Sequence, residues 1–299
     1  MNSSPVDKPG FGKRFIQFPV TRIILAMVFL VVPAQLLAWL IRQFLPSLSK
    51  TLPATLLGIT LALLCYYAYV RLIERRQVSE LGLKGMFKEL GSGLLIGAFL
   101  LTASFAVLAV LNVYQIDGNN PWTVLLAPLV MALTSGVVEE IVFRGILFRI
   151  VEESLGSWIS LSVSACIFGL IHLLNPQATL FGAIAIIIEA GILLGAAYMV
   201  TRRLWMCIGI HIAWNFTQSG IFSGIVSGNI DLPGVIRGKM VGPDWLTGGQ
   251  FGIEASVVAV VICLAAGIFF VDKARRDNKI VQPFWRRSKA IDAAAASLN

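Results

Sequence analysis

The run Gly136-Val137-Val138-Glu139-Glu140-Ile141-Val142-Phe143-Arg144-Gly145-Ile146 places three ionisable side chains in an otherwise apolar stretch. An ionisable group costs roughly 3 kcal/mol or more at mid-membrane, so such groups rarely persist there without a task. The only two histidines, His172 and His211, also lie inside apolar runs, and Asn215 follows His211 by four residues. Two carboxylates, two imidazoles and a carboxamide are the side-chain types that activate water or hold a metal. The rest of the chain reads as the scaffold that brings them together.

That scaffold is a membrane one. Hydrophobic residues fill 57% of the 299 positions and charged residues only 13%. Soluble domains carry about 25% charge, so a single large soluble core is excluded in favour of bilayer spans. Eight apolar stretches, at about 21–45, 54–73, 91–114, 122–143, 158–174, 178–200, 204–227 and 252–272, approach the ~20 residues that a spanning helix needs. The fold class is therefore an all-α polytopic transmembrane bundle of about eight spans. The first apolar run is long and continues past Pro33, which reads as a retained span and not a cleaved signal peptide. The segment 79–90 looks amphipathic and is expected to lie along the interface before the third span.

The net charge of +8 follows membrane topology. Basic residues sit beside the apolar runs, without the basic face and stacking aromatics of a nucleic-acid platform, so nucleic acid is excluded as a partner. Alternate loops are unequal. Lys8, Lys13, Arg14, Arg22, Arg71, Arg75, Arg76, Lys84, Lys88, Arg149, Arg202, Arg203 and seven basic residues after Val271 fall in one set. Arg42, Lys50, Arg237 and Lys239 make up the other. The imbalance puts both termini in the cytoplasm, in agreement with an even number of spans. The Gly-rich connector 227–252 then reads as the longest non-cytoplasmic loop, and the tail after 272 as partly disordered. Cys65, Cys166, Cys207 and Cys263 show no C-x-x-C spacing and read as buried free thiols.

Helical spacing gathers the polar groups. Glu140 and Arg144 are four apart and can pair along one stripe, while Glu139 points about a third of a turn away. Phe168 and His172, and His211 and Asn215, share the same spacing. Facing lipid would leave these groups unsatisfied, so three helices each turn polar groups inward. Two chemistries stand at this point. A carboxylate can act as general base toward water, with an imidazole and a carboxamide donating to the developing oxyanion. Alternatively, Glu139, His172 and His211 can hold a divalent metal such as zinc, with an open position for water.

Glu139-Glu140-Ile141-Val142-Phe143-Arg144 resembles the E-E-x-x-x-R signature of the CAAX-protease and bacteriocin-processing (CPBP) family of intramembrane proteases. Phe168-Gly169-Leu170-Ile171-His172 resembles its F-x-x-x-H motif, and His211-Ile212-Ala213-Trp214-Asn215 its H-x-x-x-N motif. Glu80-Leu81-Gly82-Leu83 is similar to the short motif that precedes the catalytic bundle. The likeness covers about Ser79 to Asn215, and three motifs in order within apolar spans are far more specific than any one alone. It implies that Glu139 activates the water and His172 helps hold it, that Glu140 orients through Arg144, and that His211 and Asn215 stabilise the oxyanion. It implies an endopeptidase acting on a peptide or membrane-protein substrate, prenylated for some members, either metal-assisted or metal-free.

On this reading the chain divides into an N-terminal segment (1–20), N-terminal helices (21–78), a catalytic bundle (79–228), a non-cytoplasmic loop (229–251), a last helix (252–272) and a cytoplasmic tail (273–299). Its place is the plasma membrane, with lipid as its standing partner and the cavity open toward the cytoplasm. Glu189, in an apolar run of its own, stands beside Glu140, Arg144 and Phe168 as a supporting candidate. Trp205, Trp214 and Phe216 read as packing or interfacial residues.

Other readings fare worse. A structural ion pair would account for Glu140 and Arg144 alone, and interhelical hydrogen bonding for either histidine alone, but neither accounts for the whole set. All seven aspartates lie outside the spans or at their ends, and neither H-E-x-x-H nor G-x-S-x-G occurs. A coupled transporter would show paired Gly or Pro breaks in corresponding halves, and none is visible. A non-catalytic immunity or scaffold protein of the same fold is the remaining alternative, and it has no need of a water activator. One tension concerns depth. His211 lies roughly 10 Å and His172 roughly 21 Å into their spans at about 1.5 Å per residue, so the helices must be offset or tilted.

Overall fold

The computed structural model describes residues 15–48, 51–229 and 231–287. The elements are α1 (Pro19–Phe44), α2 (Leu52–Glu74), α3 (Met86–Val110), β1 (Tyr114–Asn119), α4 (Trp122–Leu174), α5 (Leu180–Thr201), α6 (205–221), β2 (Ile236–Met240), α7 (Asp244–Thr247) and α8 (Val257–Arg276). Six of the helices are long and apolar enough to cross a bilayer. The longest, α4, is two arms meeting at Gly156, whose φ of 80° is a backbone conformation suited to glycine. Counting the arms separately and adding the shorter α6 recovers the eight stretches. The third begins at Met86 instead of about 91, and the last at Val257 instead of about 252.

The bundle is apolar on the outside as well as within. Leu64, Leu95, Phe99 and Ile268 are exposed, as lipid-facing positions should be. Inside, the helices pack through small residues, since hydrocarbon offers no hydrophobic drive for helices to associate. Gly93 and Gly97 of α3 lie against Gly209 and Ile210 of α6. A Cβ at Gly97 would stand 2.3 Å from the Ile210 carbonyl oxygen, and one at Gly209 2.5 Å from that of Leu90. This close approach fixes α6, the helix that carries His211 and Asn215.

The two ends differ in charge. At one end Arg22 pairs with Glu74 (2.6 Å) and Glu153 (2.5 Å), Arg149 with the same two carboxylates, and Arg76 with Glu74 and Glu80. Arg203 pairs with Glu89, and Arg202 with Glu152. At the other end β1 and β2 form an antiparallel ribbon, Tyr114 opposite Met240, with an Asp117–Arg237 pair on its surface. Phe105, Tyr114 and Phe222 cluster beneath it, with centroid separations of 4.3 to 6.0 Å.

Two expectations are corrected. Residues 79–90 form no interfacial helix. A single turn at Ser79–Leu81 leads into α3, which starts at Met86, and Glu80 is buried because Arg76, Tyr66 and Arg149 surround it. The 227–252 connector supplies β2 and α7 and buries Ser227, Gly228 and Phe251. Cys166 is exposed on the apolar surface, whereas Cys207 and Cys263 are buried and Cys65 is half-buried; all four are free. As for the expected disordered tail, α8 runs on to Arg276 and the Val281 amide donates to Ser157 Oγ, while positions 288–299 lie outside the described residues.

Candidate functional site

The backbone departs from regular α-winding at the site. Wider π-type turns occupy Ile141–Phe148, directly after Glu140, then Ile187–Gly191 around Glu189, and Thr217–Ile221 after Asn215. Such turns recur at functional sites because they shift side-chain register and loosen the carbonyl ladder. Arg144 uses that freedom: its Nη2 donates to the Ala190 and Gly191 carbonyls at 3.2 and 3.4 Å.

Glu140 is the fully buried centre of the polar group. Its Oε1 accepts from Arg144 Nη1 at 2.9 Å and from His211 Nδ1 at 2.8 Å. The Arg144 guanidinium also lies 4.7 Å from the centroid of the Phe168 ring, a cation–π contact. Phe168 in turn packs edge-on against His172 and His211, at 4.9 and 6.1 Å. One arginine and one phenylalanine thus brace three helices around the histidines.

The two imidazoles are oriented alike. His172 Nδ1 lies 2.6 Å from the Phe168 carbonyl oxygen, which can only accept, so Nδ1 carries the proton. By the same argument His211 donates through Nδ1 to Glu140. Each ring therefore keeps Nε2 for chemistry. His211 Nε2 lies 3.9 Å from Glu139 Oε2, within ion-pair range and beyond hydrogen-bonding distance. Asn215 Nδ2 donates to Ser135 Oγ at 2.8 Å.

Glu139, His172, His211 and Asn215 all line one cavity of about 580 Å3, together with Ser135, Phe143, Asn175 and Ser227. Unlike buried Glu140, Glu139 keeps a third of its side-chain surface exposed, which lets it meet water. A smaller cavity of about 30 Å3, room for about one water, lies behind the histidines. Glu189 and Glu254 reach that smaller space and not the larger one. Glu189 therefore sits at the back of the site, buried, with Oε2 lacking a hydrogen-bond partner. Trp214 lines the same small cavity, while Trp205 donates to the Gly82 carbonyl at 3.0 Å as a packing residue.

The large cavity runs from mid-bundle toward the ribbon end, ending at Leu174, Asn175, Val226, Asn229 and Leu232. This differs from the expected opening toward the basic end. The reason is chain direction: the second arm of α4 leaves the basic end at Gly156 and carries His172 to the far end. The depth tension resolves in the same way, because the cavity spans both depths.

Ser135, Ser227 and Glu254 escaped the sequence reading. Glu254 takes the Ser227 amide and its Oγ–H, the latter at 3.0 Å, and so holds the wall of the large cavity. A carboxylate at the head of an apolar run was the available signal for Glu254. For Ser135 it was its place one turn before Glu139. As a metal set, Glu139, His172 and His211 do not converge: among the described residues no three His, Cys, Asp or Glu side chains are gathered to hold an ion.

The fold is that of an integral membrane helix bundle with a polar cavity inside it. Residues 120–217 match the family model described as type II CAAX prenyl endopeptidase Rce1-like. The match takes in all of α4 and α5 and most of α6, with all three motifs, and bears out the resemblance to the CPBP family of intramembrane proteases. No curated protein and no solved structure matches the chain.

Proposed function

We propose that this protein is an intramembrane endopeptidase in which Glu139 activates the attacking water. The observation that carries the reading is the meeting of Glu139, His172, His211 and Asn215, from both arms of α4 and from α6, on one cavity. Glu139 takes a proton from water while His172 Nε2 accepts the other hydrogen and holds the oxygen in place. The hydroxide adds to the carbonyl carbon of the scissile bond. His211, carrying a proton between the carboxylates of Glu139 and Glu140, donates through Nε2 to the oxyanion, with the free N–H of Asn215 as second donor. Collapse breaks the C–N bond, and Glu139 passes its proton to the leaving amine.

Glu140 and Arg144 are positioning residues. They hold the His211 ring so that Nε2 and not Nδ1 faces the cavity. Every step uses protein groups and water alone. The basic end is placed in the cytoplasm, with both termini there, and the plasma membrane is the compartment. The substrate is a peptide or membrane-protein segment; an Rce1-like match brings prenylated proteins into consideration.

The test is cleavage of prenylated C-a-a-X peptides and unmodified peptides by purified protein in detergent, with and without chelator. Glu139→Gln is expected to leave folding intact and lower kcat by about 10²–10⁴-fold, the usual contribution of a general base. A variant that cleaves as fast as wild type removes Glu139 from the chemistry. A well-folded wild type that cleaves no peptide points to the non-catalytic reading, and loss of activity with chelator calls for the metal version.

A further inference from the structure

The small cavity behind the histidines collects groups that the proposed chemistry leaves unused. Among the described residues, five buried side-chain nitrogen and oxygen atoms lack a hydrogen-bond partner. Two of them, Glu189 Oε2 and Trp214 Nε1, belong to residues that line this one space. Both side chains are more than nine-tenths buried. Neither residue reaches the large cavity, so water held there does not satisfy them. A buried polar atom left unpaired is costly, and native structures seldom keep one without a reason.

The two atoms select what binds between them. An indole N–H only donates, and a carboxylate oxygen accepts. An anion would meet Glu189 and Glu254, with no lysine or arginine on the cavity wall to offset them. A metal cation would face the Trp214 N–H instead of a lone pair. The two Glu254 oxygens already accept from Ser227, one from its amide and one from its hydroxyl at 3.0 Å. That leaves Glu189 alone, too few ligands for a cation. Water both accepts and donates, and a space of about 30 Å3 holds one molecule.

Position gives this water a consequence. Glu189 stands in the wide turn Ile187–Gly191 of α5, where the Ala190 and Gly191 carbonyls accept from Arg144. Trp214 lies on α6 between His211 and Asn215. His172, His211, Asn215 and Ser227 line both cavities and form the wall between them. We infer that the small cavity is the binding site of one water, which accepts from Trp214 Nε1–H, donates to Glu189 Oε2 and so ties α6 to α5 behind the oxyanion donors. Glu189 and Trp214 are then positioning residues. The bridge stands on the structure alone, and its effect on rate rests on the endopeptidase reading.

The experiment has two arms, so that the bridge and the endopeptidase reading fail separately. The first is X-ray hydroxyl-radical footprinting of the whole protein in detergent, in which radicals born from a bound water oxidise the side chain beside it. Peptide mass spectrometry then reads Trp214. It is expected to be oxidised in wild type despite its burial, and several times more slowly in Glu189→Leu, which offers no acceptor and fills the space. Glu189→Met serves in its place if that variant does not fold. Glu189→Gln keeps an acceptor and should restore most of the oxidation. Melting should be the same in sodium, potassium and choline chloride. In the second arm, Glu189→Leu and Trp214→Phe should each lower kcat for peptide cleavage about tenfold, short of the roughly 10²-fold that a 1 Å misplacement costs. KM should change little, because oxyanion donors act in the transition state. Combined, the two substitutions should lose no more than either alone. Trp214 unoxidised in wild type, or oxidised equally in Glu189→Leu, overturns the water, and melting that depends on sodium or potassium replaces it with a cation. Losses that fall on KM, or that multiply in the double variant, overturn the positioning role. The expected oxidation in a protein that cleaves no peptide upholds the water and sinks the endopeptidase reading.

Discussion

Glu140 Oε1 receives two donors, one from its own helix and one from α6, while no solvent reaches any of the three side chains' charged ends except through His211. A buried pair of this kind contributes little over an apolar replacement, but half of it alone is costly, about 3–5 kcal/mol. Arg144→Met is therefore expected to lower thermal stability sharply, because Glu140 would be left with a charge that only His211 can offset. Glu140→Gln combined with Arg144→Met should restore much of that loss, a coupling that a double-mutant cycle of unfolding in detergent would measure. Activity should stay low in the double variant, since the His211 ring loses the carboxylate that orients it. Additive losses in stability would mean that the pair is not a unit. Full activity in the double variant would mean that orientation of His211 does not matter.

At the scale of elements, the site depends on how closely α6 lies against α3. The four-residue interval between Gly93 and Gly97 places both on one face, and Gly209 answers from the other helix. Gly97→Leu is expected to destabilise by at least the 1–3 kcal/mol typical of overpacking and to cut activity as α6 moves with His211 and Asn215. Gly58→Ala, where an added Cβ meets nothing within 4 Å, is the matched control and should be near neutral. Equal melting temperatures for Gly97→Leu and wild type would show that the helices tolerate separation. Much of this level was legible in advance. Spans could be read from length and hydropathy, and the three motifs from ionisable residues where ionisable residues are expensive. What stayed hidden was of another kind. The two arms of α4 are already separate apolar stretches in the sequence, whereas the wide turn at Ile187–Gly191 leaves no periodic mark. The back wall made by Ser227 and Glu254 joins residues that are far apart in the chain, and hydropathy has no memory of such distances.

For the molecule as a whole, the basic end is what fastens α1, α2 and α4 to one another and orders the start of the tail. Arg287 Nη2 donates to the Glu153 carbonyl, and Arg202 reaches both Glu152 and the Lys279 carbonyl. Glu80, in the short turn between α2 and α3, is central to it. Burial pushes its carboxyl group up, but the hydrogen bonds and charge of Arg76, with the Tyr66 hydroxyl, outweigh that and hold it below its ordinary value. The sign of the linkage follows. A depressed folded-state pKa gives stability that is fully present above the unfolded value of about 4.3 and lost as pH falls through the folded one. Glu80→Gln should thus melt at a lower temperature than wild type at neutral pH, because Arg76 loses its nearest carboxylate. The gap should close progressively below about pH 4, where wild type takes up the proton that the variant never needed. Melting of the two proteins in detergent from pH 3 to 7 is the measurement. A gap that stays constant over that range would mean that Glu80 stabilises through packing and not through its charge.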